Sequence, residues 1–259
     1  MARYDFTTRR LFVEAPLLAG TRIALPLPAA HYLRNVLRLS DGAELLVFNG
    51  RDGEWRASLA LAGKKQTMLD IGALTRAQAP SADLHYLFAP LKHARLDYMV
   101  QKAVEMGASR LQPVATQHTQ SERLNLERMR ANVIEAAEQC GVLAVPEVAE
   151  PVKFASLVAS WPAERLLVFC DEDAEVRDPL AALSAIEKPS ALALLIGPEG
   201  GFDASERAAL LALPQTVRLS LGPRILRADT AAVAALALVQ AAWGDWRDVR
   251  EGLSVGRSN

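Results

Sequence analysis

The sequence is short of the residues that build stapled or metal-centred folds. Its 259 residues include two cysteines, Cys140 and Cys170, and four scattered histidines, His31, His85, His93 and His118. Neither a disulfide framework nor paired zinc-ligand spacing can be assembled from so few. No disulfide and no structural metal is therefore expected, and each thiol is expected to be buried and inert, since no histidine stands in a recognisable partner motif. Apolar runs long enough to cross a bilayer are also missing, and the opening "MARYDFTTRR" lacks the apolar stretch of a secretory signal. The expectation is a cytoplasmic protein with no membrane partner. Apolar residues still make up 51% of the chain, enough to fill one large domain or two smaller ones.

Net charge is also nearly absent, at −1, but its distribution is uneven. Residues 1–75 carry eight Arg and two Lys against seven acids, so the remainder is acidic. Arg3, Arg9, Arg10, Arg22, Arg34 and Arg38 face only Asp5 and Glu14 in the first forty positions. A basic module on an acidic body points to a polyanionic partner at the N-terminal end.

The N-terminal part reads as short strands: "RRLFVE", "TRIAL", "AELLVFN", "EWRASLAL" and "QTMLDIG", with "NGRDG" as a hairpin signal. Among them "PAAHYLRNVLRLSDG" reads as a short helix with Tyr32, Leu33, Val36 and Leu37 on one face and Arg34 and Arg38 on another. A small β-barrel over residues 1–75 fits. The polar stretch "RAQAPSAD", residues 76–83, reads as a linker. Residues 84–246 then alternate strand and helix, the pattern of an α/β domain with a largely parallel sheet. Residues 247–259 have no apolar period and are expected to fray.

The stretch "LALLIGPEGGFDASE" stops an apolar strand at a glycine-rich elbow. It is no P-loop, because a Lys-Ser/Thr pair is missing and Glu199 would repel phosphate. The Gly-x-x-Gly-Gly spacing is no dinucleotide fingerprint either. Close backbone and a carboxylate suit an uncharged or cationic ligand rich in hydrogen-bonding groups. Asp203 with Glu206 three residues on reads as a capping box for the next helix. A second strand exit, "LSLGPRILRADTAAVAALALVQAAW", repeats the glycine–proline turn at Gly222 and Pro223, with Asp229 or Thr230 as helix cap. Two such exits on one parallel sheet put a ligand at its carboxyl edge.

The paired stretches "IGPEGGF" and "LSLGPRILRADTA" resemble the signature of the RsmE-type 16S ribosomal RNA (uracil-N3) methyltransferases of the SPOUT group. The resemblance extends to "HYLRNVLRLSDGAELLVFNG", "KHARLDYMVQKAVEMG", "EAAEQCG" and "VPEV", from about Arg10 to Trp243. The family usually shows Glu where Asp229 stands and Arg where Val142 stands. The resemblance implies an N-terminal PUA-like RNA-binding β-barrel and a C-terminal parallel sheet with a deep trefoil knot, an exception to unknotted topology. It also implies S-adenosyl-L-methionine bound by Gly197, Glu199, Gly200 and Gly201 on one side and Leu219, Leu221, Gly222, Ile225 and Leu226 on the other. The substrate implied is 16S ribosomal RNA or the small ribosomal subunit, and the assembly a homodimer through the knot face.

Methyl transfer from a sulfonium needs in-line alignment and a deprotonated uracil nitrogen, not a metal or an enzyme nucleophile. Arg227 is the candidate for stabilising charge on the uracil oxygens, against a bracing salt bridge to Asp229 or Glu199. Glu199 is a second catalytic candidate, as base or as orienting group. Arg9, Arg10, Arg34 and Arg38 are candidate RNA-phosphate contacts, as is Lys92 at a strand end. Lys102 and Glu105 read as a solvated ion pair, and His93 and His118 as structural or surface residues. Two other readings stay open: ribose 2′-O methylation by another knotted enzyme, and a noncatalytic RNA-binding protein.

Overall fold

The computed structural model describes residue 5 and residues 7–62, 66–119, 124–175 and 178–246. The expected fraying of residues 247–259 falls outside them. The chain divides into two units, one of residues 1–80 with 137–145, the other of residues 81–136 with 146–259.

In the first unit the strands are β1 (Arg10–Phe12), β2 (Arg22–Ala24), β3 (Glu44–Phe48), β4 (Glu54–Ala62) and β5 (Gln66–Arg76), in the order β1-β3-β4-β5-β2. All pairs are antiparallel except β1 with β3. Alternation along the strands sends Leu45 and Val47, Ala57 and Leu59, and Leu69 and Ile71 into one core with Leu11 and Leu33. The "NGRDG" turn closes the β3–β4 hairpin, with Asn49 Oδ1 accepting from the amides of Arg51 and Asp52.

Helix α1 (Leu27–His31) runs into a π-helical turn at Tyr32–Val36, closed by the Leu37 amide donating to the Tyr32 carbonyl at 2.9 Å. This corrects the expected four-residue apolar face. Leu33 is buried and Leu37 packs on the core, but the wider turn leaves Tyr32 and Val36 exposed.

A buried ion cluster ties the unit together. Glu54 accepts from Arg10 Nε at 2.9 Å and from Arg76 Nε and Nη2 at 2.8 and 2.6 Å. Burial alone would raise the Glu54 pKa, but the hydrogen bonds from Arg76 and Arg10 outweigh it and hold it below its ordinary value. The segment 137–145 joins through the Gly141 carbonyl, which accepts from Arg76, and through Glu138, which accepts from the Phe12 amide at 2.8 Å.

The second unit contains β6 (Leu84–Phe88), α2 (His93–Glu105), β7 (Arg110–Ala115), α3 (Leu126–Cys140), β8 (Glu147–Val148), β9 (Val152–Lys153) and α4 (Phe154–Ala159). It continues with β10 (Arg165–Cys170), α5 (Pro179–Ser184), β11 (Ala191–Ile196), α6 (Ala204–Ala212), β12 (Thr216–Leu219) and α7 (Ala228–Trp243). The last turn of α3 is counted with the first unit. The strands form one parallel sheet, β12-β10-β11-β6-β7-β8, with β9 pairing β7. β11 is buried along its whole length, as a central parallel strand covered on both faces must be. Leu167, Phe169, Ala193 and Leu195 point into one core layer with Phe154 and Leu210, so Val168, Cys170, Leu194 and Ile196 face the opposite layer. Helix α7 packs there, against β11, α2 and α5. Its alanines keep the packing close, and its one buried amide, Gln240, donates to the Met106 carbonyl at 2.6 Å.

Helix α6 begins with the expected capping box: Asp203 accepts from the Ser205 and Glu206 amides, and Glu206 accepts from the Asp203 amide. The N-cap of α7, by contrast, is Arg227 rather than Asp229 or Thr230. Asp229 lies inside the first turn, where its carboxylate accepts from the Thr230 amide and favours the positive end of the helix dipole.

Candidate functional site

β10 lies between β11 and β12, so three loops leave the same carboxyl edge side by side. They enclose a cavity of about 330 Å³, within the roughly 300–1,000 Å³ range of small-molecule sites. Ile196, Leu219, Ala228 and Ala231 make an apolar floor. Gly197, Glu199 and Gly201 stand on one side, and Leu221, Gly222, Ile225, Leu226 and Arg227 on the other. The middle loop, Cys170 to Asp173, was missed in the sequence because it carries neither glycine nor proline.

Two glycines of the elbow are dictated by geometry. A Cβ on Gly197 would sit 2.8 Å from the Phe202 ring, and Gly201 has φ +72°, the left-handed region that side chains resist. Gly200, also expected to touch the ligand, is not among the residues that line the cavity. It turns the other way, where a Cβ would meet that of His118 at 3.3 Å. His118 also donates from Nδ1 to the Gly201 carbonyl at 3.0 Å, so the loop after β7 braces the elbow from behind. Glu206 strengthens the brace, accepting from the Gln117 amide at 2.8 Å.

The charges around the cavity are sorted into pairs. Asp171, almost fully buried, accepts from Arg207 on α6 and, at 2.6 Å, from Arg218 on β12. Burial opposes its ionisation, but the two guanidiniums and the Asp173 amide hold its pKa below the usual carboxylate range. Glu199 pairs with Arg95, in the first turn of α2. Arg227 is exposed at the cavity and, among the described residues, has no ion pair, so the bracing salt bridge to Glu199 or Asp229 is not formed. Glu172 likewise carries no cation partner among the described residues, and its Oε1 lies 4.0 Å from where a Gly201 Cβ would be. Burial pushes the Cys170 thiol up to about 12, which keeps it protonated and unreactive. Cys140, expected to be buried, is exposed at the end of α3.

The remaining candidates lie elsewhere. Lys92 is exposed at the N-cap of α2, and Lys102 and Glu105 form the expected pair at 2.6 Å. The His93 side chain lies outside the described atoms. In the first unit Arg9 and Arg38 are exposed and Arg34 half-buried. Arg10 is withdrawn as a phosphate contact, since its side chain is 4% exposed and its guanidinium holds Glu54.

A family model described as an RNA methyltransferase domain matches residues 77–240, and one described as an RNA methyltransferase PUA domain matches residues 28–67. The chain belongs to this RNA methyltransferase family. Among its relatives, the ribosomal RNA small subunit methyltransferase E of Synechocystis is 32% identical over 240 residues, 90% of this chain and 77% of the relative. That of Rickettsia conorii is 28% identical over 89% of this chain and 94% of the relative. The Neisseria gonorrhoeae ribosomal RNA small subunit methyltransferase E, solved bound to S-adenosyl methionine, superposes with a TM-score of 0.82 at 27% identity, covering 92% of this chain and 99% of that one. A Legionella pneumophila protein solved with bound cofactor SAM gives 0.80 at 29% identity, over 91% and 98% of the two chains. The methyltransferase match spans all three loops of the cavity, and the PUA match spans the π-helical turn of the first unit.

Proposed function

We propose that the chain is an S-adenosylmethionine-dependent methyltransferase acting on N3 of a uridine in 16S ribosomal RNA, in the cytoplasm. The observation that carries this reading is the cavity of the family's methyltransferase domain, walled by the two glycine–proline exits and floored with aliphatic side chains. Such a wall reads an uncharged heterocycle through backbone groups, and the carboxylates at its rim, Glu172 and Glu199, suit a ligand bearing positive charge. When bound, the cofactor supplies an electrophilic methyl group.

The chain's own residues do the rest. Arg227, which has no ion pair among the described residues, stabilises negative charge on the uracil oxygens as N3 loses its proton. Glu199, matched by Arg95, is the orienting group, and Glu172, at the cavity and without a cation partner among the described residues, is the candidate base. The basic barrel of the first unit holds RNA phosphates through Arg9, Arg34 and Arg38, and Lys92, in the second unit, is a further phosphate contact.

A trefoil knot at the β12 exit and a homodimer through its face belong to the same proposal. Ile225 is 93% exposed, and Leu180 is exposed beside an apolar hollow lined by Leu221, Ala234, Ala237 and Leu238. A second copy of the chain would cover such a surface.

Titration of the full chain with S-adenosylmethionine by calorimetry tests the cofactor, and sizing by light scattering tests the dimer. One bound cofactor per chain and a dimer mass are expected. Absence of binding would sink the enzymatic reading.

A further inference from the structure

The π-helical turn at Tyr32–Val36 sits where a plain α-turn would have served the core better. Residues three apart share a face of an α-helix, so an α-turn would set Val36 beside Leu33, which is 1% exposed. The wider turn carries Val36 outward instead, to 59% exposure, beside Tyr32 at 38%. An aromatic ring and an aliphatic side chain thus lie together on the surface, flanked by the exposed His31 and Asn35. Wide turns of this kind are uncommon and concentrate at functional sites.

The next two residues add a second cost. Arg38 is the one non-glycine among the described residues with positive φ, at 55°, where the Leu39 amide closes the turn onto the Leu33 carbonyl at 2.9 Å. A glycine would take that conformation without strain. An arginine kept there presents its guanidinium to solvent at a cost to the fold, the usual mark of a side chain held for a ligand.

Charge pairing divides the arginines of this unit. Arg10, Arg22, Arg56 and Arg76 of this unit are all held by carboxylates. Arg9, Arg34, Arg38 and Arg51 form no ion pair among the described residues, and of these Arg34 lies between Tyr32 and Val36 in the chain and Arg38 two residues after Val36. An exposed ring with exposed cations on the same short element is an arrangement by which proteins grip an unpaired nucleotide: the base stacks on the ring and the cations meet its phosphates.

We infer that Tyr32, backed by Val36, is a stacking platform for one unpaired base of the RNA, with Arg34 and Arg38 on the flanking phosphates. The inference rests on the RNA reading proposed above and adds to it a base contact, distinct from the charge contacts. A stacked base carries no counterions, so its loss lowers affinity without changing the salt dependence, whereas a lost phosphate contact changes both.

The test is binding of the full chain to protein-free 16S ribosomal RNA and to small ribosomal subunits, measured by filter retention across a salt series. Tyr32→Ala should weaken binding about 5- to 150-fold, as loss of one base–aromatic stack does, with an unchanged slope of log affinity against log salt. Tyr32→Phe and Tyr32→Trp should restore it. Arg38→Gln should weaken binding and reduce the slope by about 0.7–0.9. Wild-type affinity in Tyr32→Ala, or failure of Tyr32→Trp to restore a loss, would overturn the platform; a loss in Arg38→Gln alongside it leaves the RNA reading standing. Failure of the wild-type chain to bind either form of RNA would overturn both.

Discussion

Replacing Gly197 by alanine puts a methyl carbon 2.8 Å from Cε2 and 3.1 Å from Cζ of Phe202, where ordinary contact begins at 3.4 Å. Something must retreat by at least 0.6 Å. The Phe202 ring is held on its other sides, with ring centroids 6.1 Å from Phe154 and 6.2 Å from Phe169, inside the core layer beneath α4 and α6. Overpacking of this kind costs about 1–3 kcal/mol. If the elbow yields, the cofactor wall moves and S-adenosylmethionine affinity falls by the corresponding factor, about 5- to 150-fold. If the ring yields, the cost appears as stability, a fall in melting temperature of about 2–4 °C per kcal/mol for a unit of this size. Calorimetric titration and a thermal melt of the full chain read the two shares, and their sum should reach at least about 1 kcal/mol. Adding Phe202→Leu should recover part of the loss, because the two sites are coupled by direct contact. Gly197→Ala with wild-type affinity and wild-type melting temperature would refute the argument that the elbow is packed to contact.

Arg227→Gln should lower kcat about 100- to 1,000-fold while leaving S-adenosylmethionine affinity within twofold, measured by single-turnover kinetics and calorimetry; a pure affinity loss would assign the residue to the cofactor instead. Glu54→Gln leaves Arg10 and Arg76 facing a neutral amide in a site where the carboxylate is 3% exposed, and should destabilise the fold by about 3–5 kcal/mol in urea titration. The Glu54 pKa is depressed in the fold, so its contribution is present above the unfolded value of about 4.3 and is lost as pH falls through the folded value. The wild-type advantage over Glu54→Gln should therefore shrink on acidification below about pH 4. Iodoacetamide at pH 8 should alkylate the exposed Cys140 well before Cys170, whose thiol is pushed up to about 12; peptide mapping that finds Cys170 modified first would contradict the burial assigned to it.

Much of the second unit was legible because its signals are local. Apolar runs such as "RLLVFC" and "ALALLI" form β10 and β11, and Gly107 and Gly141, both at positive φ, follow α2 and α3 as helix-ending glycines do. The Asp203 and Glu206 box spans three residues and was visible for the same reason. What escaped depends on partners distant in sequence. Nothing near Arg10 announces Glu54, 44 residues away, so a buried cation was taken for a phosphate contact. Asp171 meets Arg207 and Arg218 only once α6 and β12 are in place, which hid the middle loop of the cavity. The return of residues 137–145 to the first unit is carried by single hydrogen bonds, from Phe12 and Arg76, that leave no periodicity. The π-turn is a fourth case, of another kind: the 3.6-residue period put Tyr32 and Val36 on one face with Leu33 and Leu37, and one extra residue in the turn moved them out.

Incubating the full chain with small ribosomal subunits and S-adenosylmethionine carrying a labelled methyl group, then digesting the RNA to nucleosides for mass spectrometry, tests the central claim directly. The substrate subunits should come from cells lacking the protein, so that the target position is unmodified. The label is expected in 3-methyluridine, at one position, and lost in Arg227→Gln. Label in a ribose-methylated nucleoside, or no label at all from a chain that binds the cofactor, would contradict it.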